Sequence, residues 1–223
     1  MRHVRLFDGL SEQEYERFLS AAKPECIVLS RDEVLVEEGE ETSRFWIITA
    51  GRLKGARYHY DGSLDLVQVY TEGDIVNFDV AFTMNKRSPL HVSSVGASSL
   101  VAIDSAVFES NRISRDILDK LRRNIIHLLA NESVKKQYKI DVLYQRSLRA
   151  RIGVFLRHMS EKTGSDVFDV NMDREQFAQY LGVNRSALSH ALSVMRKAGI
   201  IRFHKGHFEI LDKEALDGKN DAL

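Results

Sequence analysis

A basic segment in the second half of the chain carries the residues whose types and spacing are best suited to chemistry. From Arg174 to His207 there are six lysines and arginines against one acid, Glu175, and three histidines add hydrogen-bond donors. Cations grouped in this way are suited to binding an anionic partner such as a nucleic-acid backbone. Charge alone would also fit a solvated helical face, so the choice depends on how the segment folds.

The apolar residues of this segment predict a helix-turn-helix. Ala178 is small where two helices must touch, Gly182 lies four residues later in the turn, and Leu188 follows six residues after that. We expect Asp173 to cap the first helix and the second helix to run over about 184–198. The sequence IIRFHKGHFEIL then predicts two short strands, which would form a wing.

The outward-facing residues of the second helix include no carboxylate. They are small or cationic, as is required of side chains that reach base edges in the major groove. Those that we expect to face base edges are Arg185, Ser186, Ser189 and His190. The other predicted DNA-binding residues are Asn184, which is the expected N-cap, and Arg174, Arg196, His204 and Lys205, which are suited to phosphate contacts.

Length and charge show how this segment is placed within the chain. A length of 223 residues predicts two domains, and a hydrophobic content of 43% is typical of globular ones. The 32 basic and 32 acidic residues balance overall, but residues 1–135 hold 21 acids against 17 cations, and residues 136–223 hold 11 against 15. The predicted helix-turn-helix therefore lies in the positively charged part.

The earlier part of the chain has the pattern of a β-structure. Residues 26–104 contain short β-rich runs separated by glycines, which predicts an antiparallel barrel or roll. A short helix over 11–20, capped by Ser11, is expected before it. Apolar residues recurring every three or four positions predict a long helix over about 113–136, and a further helix is expected over about 140–161.

The apolar stripe of the long helix has two interpretations. It could pack on the protein's own roll, or against the same helix of a second subunit. The heptad-like series Leu118, Leu121, Ile125 and Leu128 favours a homodimer interface, although it covers fewer than two heptads.

Four segments of the chain resemble one family of bacterial transcription regulators. YLGVNRSALSHALSVMRKAGIIRFHKGHFEI looks like the DNA-binding region of the cyclic-AMP receptor protein/FNR (Crp/Fnr) superfamily. LFDGLSEQEYERFL, EVLVEEGEETSRFWIITAGRLK and YTEGDIVNF resemble its N-terminal helix and β-roll, in the same order. The resemblance covers Leu6 to Leu211. It implies an α+β fold with an N-terminal double-stranded β-roll (a jelly roll like cyclic-nucleotide-binding domains), a long dimerisation helix and a C-terminal winged helix-turn-helix.

The resemblance also implies a domain organisation and partners. Residues 1–136 would form the effector-sensing domain, with the dimerisation helix at about 113–136, and residues 137–223 would form the DNA-binding domain. A homodimer would bind a pseudo-palindromic site in double-stranded DNA, with half-sites about one helical turn apart. An effector would bind between the roll and the long helix, and an activator would contact RNA polymerase.

The predicted reading helix departs from the family at two positions. The family often carries Glu, two residues, Ser or Gly, then Arg, whereas Ser186 stands here at the Glu position and His190 at the Arg position. Bidentate contacts from Glu to cytosine and from Arg to guanine are therefore lost at these positions. We expect a different half-site, with Arg185 as the main remaining base or phosphate contact.

The residues at the position of the family's cyclic-nucleotide pocket also differ from the family pattern. Members that bind cyclic AMP carry Gly-Glu after a Gly-Asp turn, and Asn77-Phe78 stands here instead. Arg87-Ser88 resembles the phosphate-binding Arg-Ser of the family but is displaced by one position, and it could still hold an anion. We expect a small anionic or aromatic effector other than cyclic AMP, bound by Phe78, Arg87 and Ser88.

The single cysteine limits the cofactors. FNR-type oxygen sensing needs four cysteines on an iron–sulfur cluster, so Cys26 alone excludes such a cluster within one chain. We expect Cys26 to be a small buried hydrophobe. A haem-sensing regulator of the same fold stays open as an alternative, with His59, His91 and His127 as candidate ligands, and so does a regulator without an effector.

Other functional classes have less support. No Gly-rich phosphate loop, HExxH or GxSxG motif is present, so no enzyme and no catalytic or metal site is expected. A ligand-binding module whose winged helix contacts a protein is the remaining alternative. No apolar run approaches the ~20 residues that cross a bilayer and no signal-peptide pattern is present, so a cytoplasmic protein is expected.

Overall fold

The computed structural model of the chain describes residues 1–58, 64–170 and 172–216. The chain divides into two compact units, Met1–Ala130 and Asn131–Leu223, and each has its own apolar core. No helix in the described part of the chain is both long enough and apolar enough to cross a membrane.

The first unit is built on antiparallel strands. Their bounds are Glu25–Leu29 (β1), Val34–Val36 (β2), Arg44–Ala50 (β3), Arg52–Tyr58 (β4), Leu64–Thr71 (β5), Ile75–Val76 (β6), His91–Ser94 (β7) and Ser98–Asp104 (β8). They form two four-stranded sheets, with strand orders β1-β8-β3-β6 and β2-β7-β4-β5. Apolar side chains from both sheets share one buried cluster, so the two sheets together form the predicted roll.

Alternation along the strands separates the interior of the roll from its outer face. Trp46 and Ile48 of β3 lie in the interior cluster with Val92 of β7, whereas Phe45 and Ile47 lie in a second core on the other side of the sheet. This is the period of two that β-strands impose on their side chains.

Helices cover the outer face of the first sheet and complete the second core. They are Glu12–Ala22 (α1), Phe78–Ala81 (α2) and the first part of Arg115–Leu143 (α3), with 3₁₀ turns at Arg5–Phe7 and Ser105–Glu109. The predicted cap of α1 is confirmed, because the Ser11 hydroxyl accepts from the backbone N–H of Glu14 while the Glu14 carboxylate accepts from that of Ser11. Glu14 also binds Nζ of Lys120 at 2.8 Å, which ties α1 to α3.

The second unit is a small α+β module. Its further elements are Leu148–Thr163 (α4), Val167–Asp169 (β9), Arg174–Tyr180 (α5), Arg185–Lys197 (α6), Ile201–His204 (β10), His207–Ile210 (β11) and Lys213–Leu216 (α7). The strands form one antiparallel sheet in the order β10-β11-β9. The core of the second unit contains Phe208 of the sheet, which packs with Phe155 of α4, Phe177 of α5 and Leu188 of α6.

The long helix is longer than the sequence pattern predicted. A break between about 136 and 140 was expected, but α3 continues to Leu143, and α4 begins at Leu148 after its N-cap residue Ser147. No glycine or proline interrupts residues 136–147, so nothing in the backbone chemistry ends the helix earlier. The proposed division between 136 and 137 falls inside this helix and stays a prediction.

Candidate nucleic-acid interface and effector site

Helices α5 and α6 form the predicted helix-turn-helix of the second unit. Asp173 caps α5 in a capping box, in which its carboxylate accepts from the backbone N–H of Gln176 at 2.8 Å. Ala178 is fully buried, and Gly182 makes the turn with a φ of +68°, a left-handed conformation that favours glycine. The spacing of small residues in the sequence is therefore explained by the helix contact and the turn.

Helix α6 separates apolar and polar residues cleanly. Leu188 and Leu192 are fully buried. At the start of the helix, Oδ1 of Asn184 accepts from the backbone N–H of Ala187 at 2.8 Å and from the Ser186 hydroxyl at 2.7 Å. Asn184 is thus confirmed as the N-cap residue, and the hydroxyl proton of Ser186 is already donated within the helix.

The outward face of α6 is exposed and positive. Its exposed polar residues are Arg185, Ser186, Ser189, His190, Arg196 and Lys197. In the described part of the chain, none of the three cations among them forms an ion pair with a carboxylate. Such a surface is suited to a partner that supplies negative charge.

The wing is a tight hairpin with an exposed basic tip. His204 pairs with His207 across the hairpin, and Lys205 in the turn has a φ of +52°. The backbone of the turn lies close to Val170, the residue after β9, because a Cβ atom on Gly206 would lie 2.7 Å from the carbonyl oxygen of Val170. His204 and Lys205 are both exposed at this tip.

Arg174 connects the start of α5 to the wing. Its Nη2 donates to the carbonyl oxygen of Lys205 at 3.3 Å, and its guanidinium carbon lies 5.2 Å from the ring centroid of Phe203. Burial, and secondarily the positive charge of Arg185, lower the pKa of Arg174, although a guanidinium stays protonated near neutral pH. The cations of α5 and α6 are therefore close enough to repel one another.

Two other basic side chains near the wing are already paired. Arg202 contacts Glu209 at 2.6 Å, and Nδ1 of His207 lies 3.0 Å from Asp169. Six basic side chains of this region that have no carboxylate partner among the described residues form what we call the basic surface, and they are Arg174, Arg185, Arg196, Lys197, His204 and Lys205. With Asn184, Ser186, Ser189 and His190, this region contains every residue that the sequence predicted for DNA binding.

The three residues predicted to bind an effector have different surroundings. Phe78 is buried in the core between the first sheet and the helices, where its ring packs at 5.3 Å from that of Phe45. The Ser88 hydroxyl is buried and donates to the carbonyl oxygen of Leu90 at 2.8 Å. Arg87 is exposed and donates to the carbonyl oxygen of Gly39 at 3.3 Å. Each side chain thus already has a separate structural partner.

The first unit contains two buried polar groups that sequence reasoning missed. Nε1 of Trp46 and Nδ2 of Asn77 are buried and have no hydrogen-bond partner among the described residues. Asn77 has a φ of +54°, and β6, which ends beside it, pairs with β3 at Trp46. Buried donors normally have acceptors, so these two groups are suited to an acceptor from outside the chain.

The described candidate haem ligands are a paired and an exposed histidine. The prediction that Cys26 is buried was wrong. Nδ1 of His91 lies 2.6 Å from Glu37, and its ring meets Tyr58 edge-on. His127 is exposed on α3, and His59 lies outside the described residues. Cys26 is exposed rather than buried, because it lies on the edge strand β1, where Ile27 and Leu29 take the inward positions.

The predicted dimer residues of α3 face the chain's own core. Leu118, Leu121 and Ile125 are at most 7% exposed and pack with the residues between the first sheet and the helices. Leu128 is half-buried against the same cluster. The first interpretation of the stripe, packing on the protein's own roll, therefore applies to Leu118, Leu121 and Ile125, which have almost no surface left for a second subunit.

Comparisons with known proteins agree with this architecture. The Crp-like helix-turn-helix domain matches residues 150–218, and the cyclic nucleotide-binding domain matches residues 26–111. An anaerobic regulatory protein of Pasteurella multocida is 24% identical over 215 residues, which cover 93% of this chain and 76% of that protein.

Solved structures resemble the whole chain in fold. A CooA mutant from Carboxydothermus hydrogenoformans is 16% identical with a TM-score of 0.61, covering 94% of this chain and 96% of the other. The c-di-GMP responsive global regulator CLP of Xanthomonas campestris is 13% identical with a TM-score of 0.61, covering 91% of this chain and 100% of the other.

A winged helix-turn-helix preceded by a roll of the cyclic-nucleotide-binding type defines a DNA-binding transcription regulator with an N-terminal effector domain. The chain belongs to the Crp/Fnr superfamily of such regulators. The family, the fold class and the regulatory function expected from the sequence are thereby confirmed. The assignments of individual residues stay predictions.

Proposed function

We propose that the protein acts as a homodimer that inserts α6 of each subunit into successive major grooves of a pseudo-palindromic DNA site. The observation that carries this proposal is the basic surface, whose six cationic or titratable side chains have no carboxylate partner in the described part of the chain. DNA phosphates would supply the missing negative charge, and a protein partner would need an unusually acidic face to do the same.

The residue roles follow from position on α6 and the wing. Arg185, Ser189 and His190 are exposed near the start of α6, the part of a recognition helix that reaches base edges. Ser186 is beside them, but its donated proton leaves only its oxygen as an acceptor for a base. Contacts to phosphates are assigned to the cations around this group, which are Arg174, Arg196, His204 and Lys205.

A subunit interface is proposed for the outward side of α3. Ile126 and Val134 are 65% and 51% exposed. At about 100° per residue, Val134 lies on the side of the helix opposite to the stripe of Leu118 and Ile125 that packs on the roll, and Ile126 lies about a quarter-turn from that stripe. The same helix of a second subunit would cover these apolar residues, and a small residue between them, Ala130, would allow a close approach.

The effector is proposed to be a small molecule bound in the roll and different from cyclic AMP. The carboxylate that cyclic-AMP-binding members place after the Gly-Asp turn is replaced by Asn77-Phe78. The buried donors of Trp46 and Asn77 favour a ligand that carries hydrogen-bond acceptors. The structural relative described as c-di-GMP responsive supports the view that this fold serves effectors other than cyclic AMP.

The wider context of the proposal comes from the family. A regulator that activates transcription would contact RNA polymerase, and it would work in the bacterial cytoplasm, where the DNA is. No enzymatic step is part of the proposal.

The proposal is tested by selecting binding sites from random duplex DNA with the purified full-length protein. We expect enrichment of a two-fold-symmetric sequence that differs from the known family consensus at the base pairs facing Ser186 and His190. A variant with Arg185→Ala and His190→Ala is the matched control, because it keeps the wing and the fold. Equal enrichment by the variant, or a selected site without symmetry, would contradict the proposal.

A further inference from the structure

Phe203 of the wing brings together two arginines from different helices. The guanidinium carbons of Arg174, at the start of α5, and Arg196, near the end of α6, lie 5.2 and 5.3 Å from the centroid of its ring. The ring is only half-buried and is stacked on Phe208 at a centroid distance of 5.7 Å and an angle of 23°. Phe208 is almost fully buried in the core, so the position of the Phe203 ring is fixed from below.

Two guanidinium groups close to one ring need a compensating interaction. In the part of the chain that the structure describes, neither Arg174 nor Arg196 forms an ion pair with a carboxylate. The negative face of an aromatic ring attracts cations and offsets part of their mutual repulsion. Phe203 therefore supplies an attraction that no acidic residue supplies at this position.

Within the described residues, most of the hydrogen-bonding capacity of these arginines is unused. A guanidinium has five N–H donors, and Arg174 uses one of them in a hydrogen bond to the carbonyl oxygen of Lys205. Stacking on a ring leaves the in-plane N–H groups free, which is the geometry that binds a phosphate in bidentate fashion. Holding a long side chain in place before binding also reduces the entropy that binding would otherwise cost.

We propose that Phe203 is a positioning residue for DNA binding, which holds Arg174 and Arg196 over its ring as a preformed clamp for backbone phosphates. The inference rests on the proposed function, in which these arginines contact DNA. It adds that the aromatic ring itself, which would touch neither a base nor a phosphate, determines how tightly the two arginines bind.

The test compares Phe203→Leu, which removes the ring, with Phe203→Tyr, which keeps it, in the full-length protein. Binding to the selected duplex is measured by fluorescence anisotropy at fixed salt. The dimer has two cation–π contacts in each subunit, and losing all four at a partly exposed site corresponds to a loss of about thirtyfold or more in affinity for the leucine variant. The tyrosine variant should bind within about twofold of the wild type, because both contacts persist. Melting temperatures check the fold, and Phe203→Met replaces the leucine variant if leucine lowers the melting temperature.

A double-mutant cycle separates positioning from a general packing role. In a background that carries Arg174→Ala and Arg196→Ala, the Phe203→Leu substitution should have no further effect on affinity. The same fold-loss in both backgrounds, or equal losses for leucine and tyrosine, would overturn the positioning role while leaving the DNA-binding proposal intact. If the wild type bound no duplex, or the double arginine variant bound as the wild type does, the proposed phosphate contacts themselves would fail.

Discussion

The salt dependence of DNA binding gives a quantitative test of the basic surface. Arg174, Arg196 and Lys205 are the permanently charged side chains assigned to phosphates, so a dimer would neutralise twice that set. Each neutralised phosphate contributes about −0.9 to the slope of log K against log salt, which predicts a slope of about −5. Raising the salt from about 50 to about 200 mM should then weaken binding by about 10³-fold.

Lys205→Asn is the sharpest single perturbation of this slope. Lys205 has a φ of +52° in the two-residue turn before Gly206, and asparagine adopts this left-handed conformation more readily than most other non-glycine residues, so the substitution removes the charge and keeps the wing. Two phosphate contacts are lost per dimer, so the slope should become less steep by about 2. The loss should be the same for cognate and scrambled duplexes, because phosphates carry no sequence information.

Lys23→Asn is the matched control for that substitution. Lys23 is exposed, has a φ of +44° at the end of α1, and lies in the unit without the helix-turn-helix. The substitution removes the same charge from the same backbone conformation. Because Lys23 is not assigned to a phosphate, the slope of this variant should equal that of the wild type. The slopes are measured by anisotropy titrations at four or more salt concentrations. Equal changes of slope in the two variants would rule out Lys205 as a phosphate contact.

Four further results are expected. Arg185→Ala should weaken binding to the selected site by about 1–3 kcal/mol for each half-site and leave scrambled DNA almost unaffected, as measured by competition titrations. Val134→Glu should convert dimers to monomers in sedimentation velocity, and an unchanged dimer would rule out the outward side of α3 as the interface. The hydrogen bond from Lys120 holds the pKa of Glu14 below its ordinary value, so this group stabilises the fold above its ordinary pKa and loses that contribution as the pH falls. Glu14→Gln should therefore lower the melting temperature at neutral pH, and the difference from the wild type should shrink below about pH 4. Trp46 is the chain's one tryptophan, and cyclic AMP should produce no saturable change in its fluorescence, whereas the true effector should shift its emission.

The helix-turn-helix could be predicted because its signals are local. Asp173 and Asn184 cap their helices through their own side chains, and Gly182 occupies the left-handed turn, so each residue type follows from the conformation at its own position. Such features depend on three or four neighbouring residues and are therefore visible in the sequence.

The partners of buried faces could not be predicted, because periodicity does not say what covers a face. The spacing of Leu118, Leu121 and Ile125 is the same whether a helix packs on its own domain or on a second subunit, and the structure shows the former. Cysteine is often buried, but Cys26 lies at an outward position of an edge strand because side chains alternate along the strand.

The site contacts that the sequence missed all join distant segments. Phe203 is one apolar residue of a strand in the sequence, and its role follows only from the arrival of Arg174 and Arg196 over its ring. Phe78, Arg87 and Ser88 are near one another in sequence, yet their side chains have different partners. The role of these three residues in binding an effector stays a prediction.

Hydroxyl-radical footprinting of the selected site would locate the two recognition helices on the duplex. We expect two protected regions on one face of the DNA, centred about one helical turn apart and related by two-fold symmetry. Both regions should weaken together in the Lys205→Asn variant. A single protected region, or two regions on opposite faces of the duplex, would contradict the dimeric arrangement proposed for α6 and the wing.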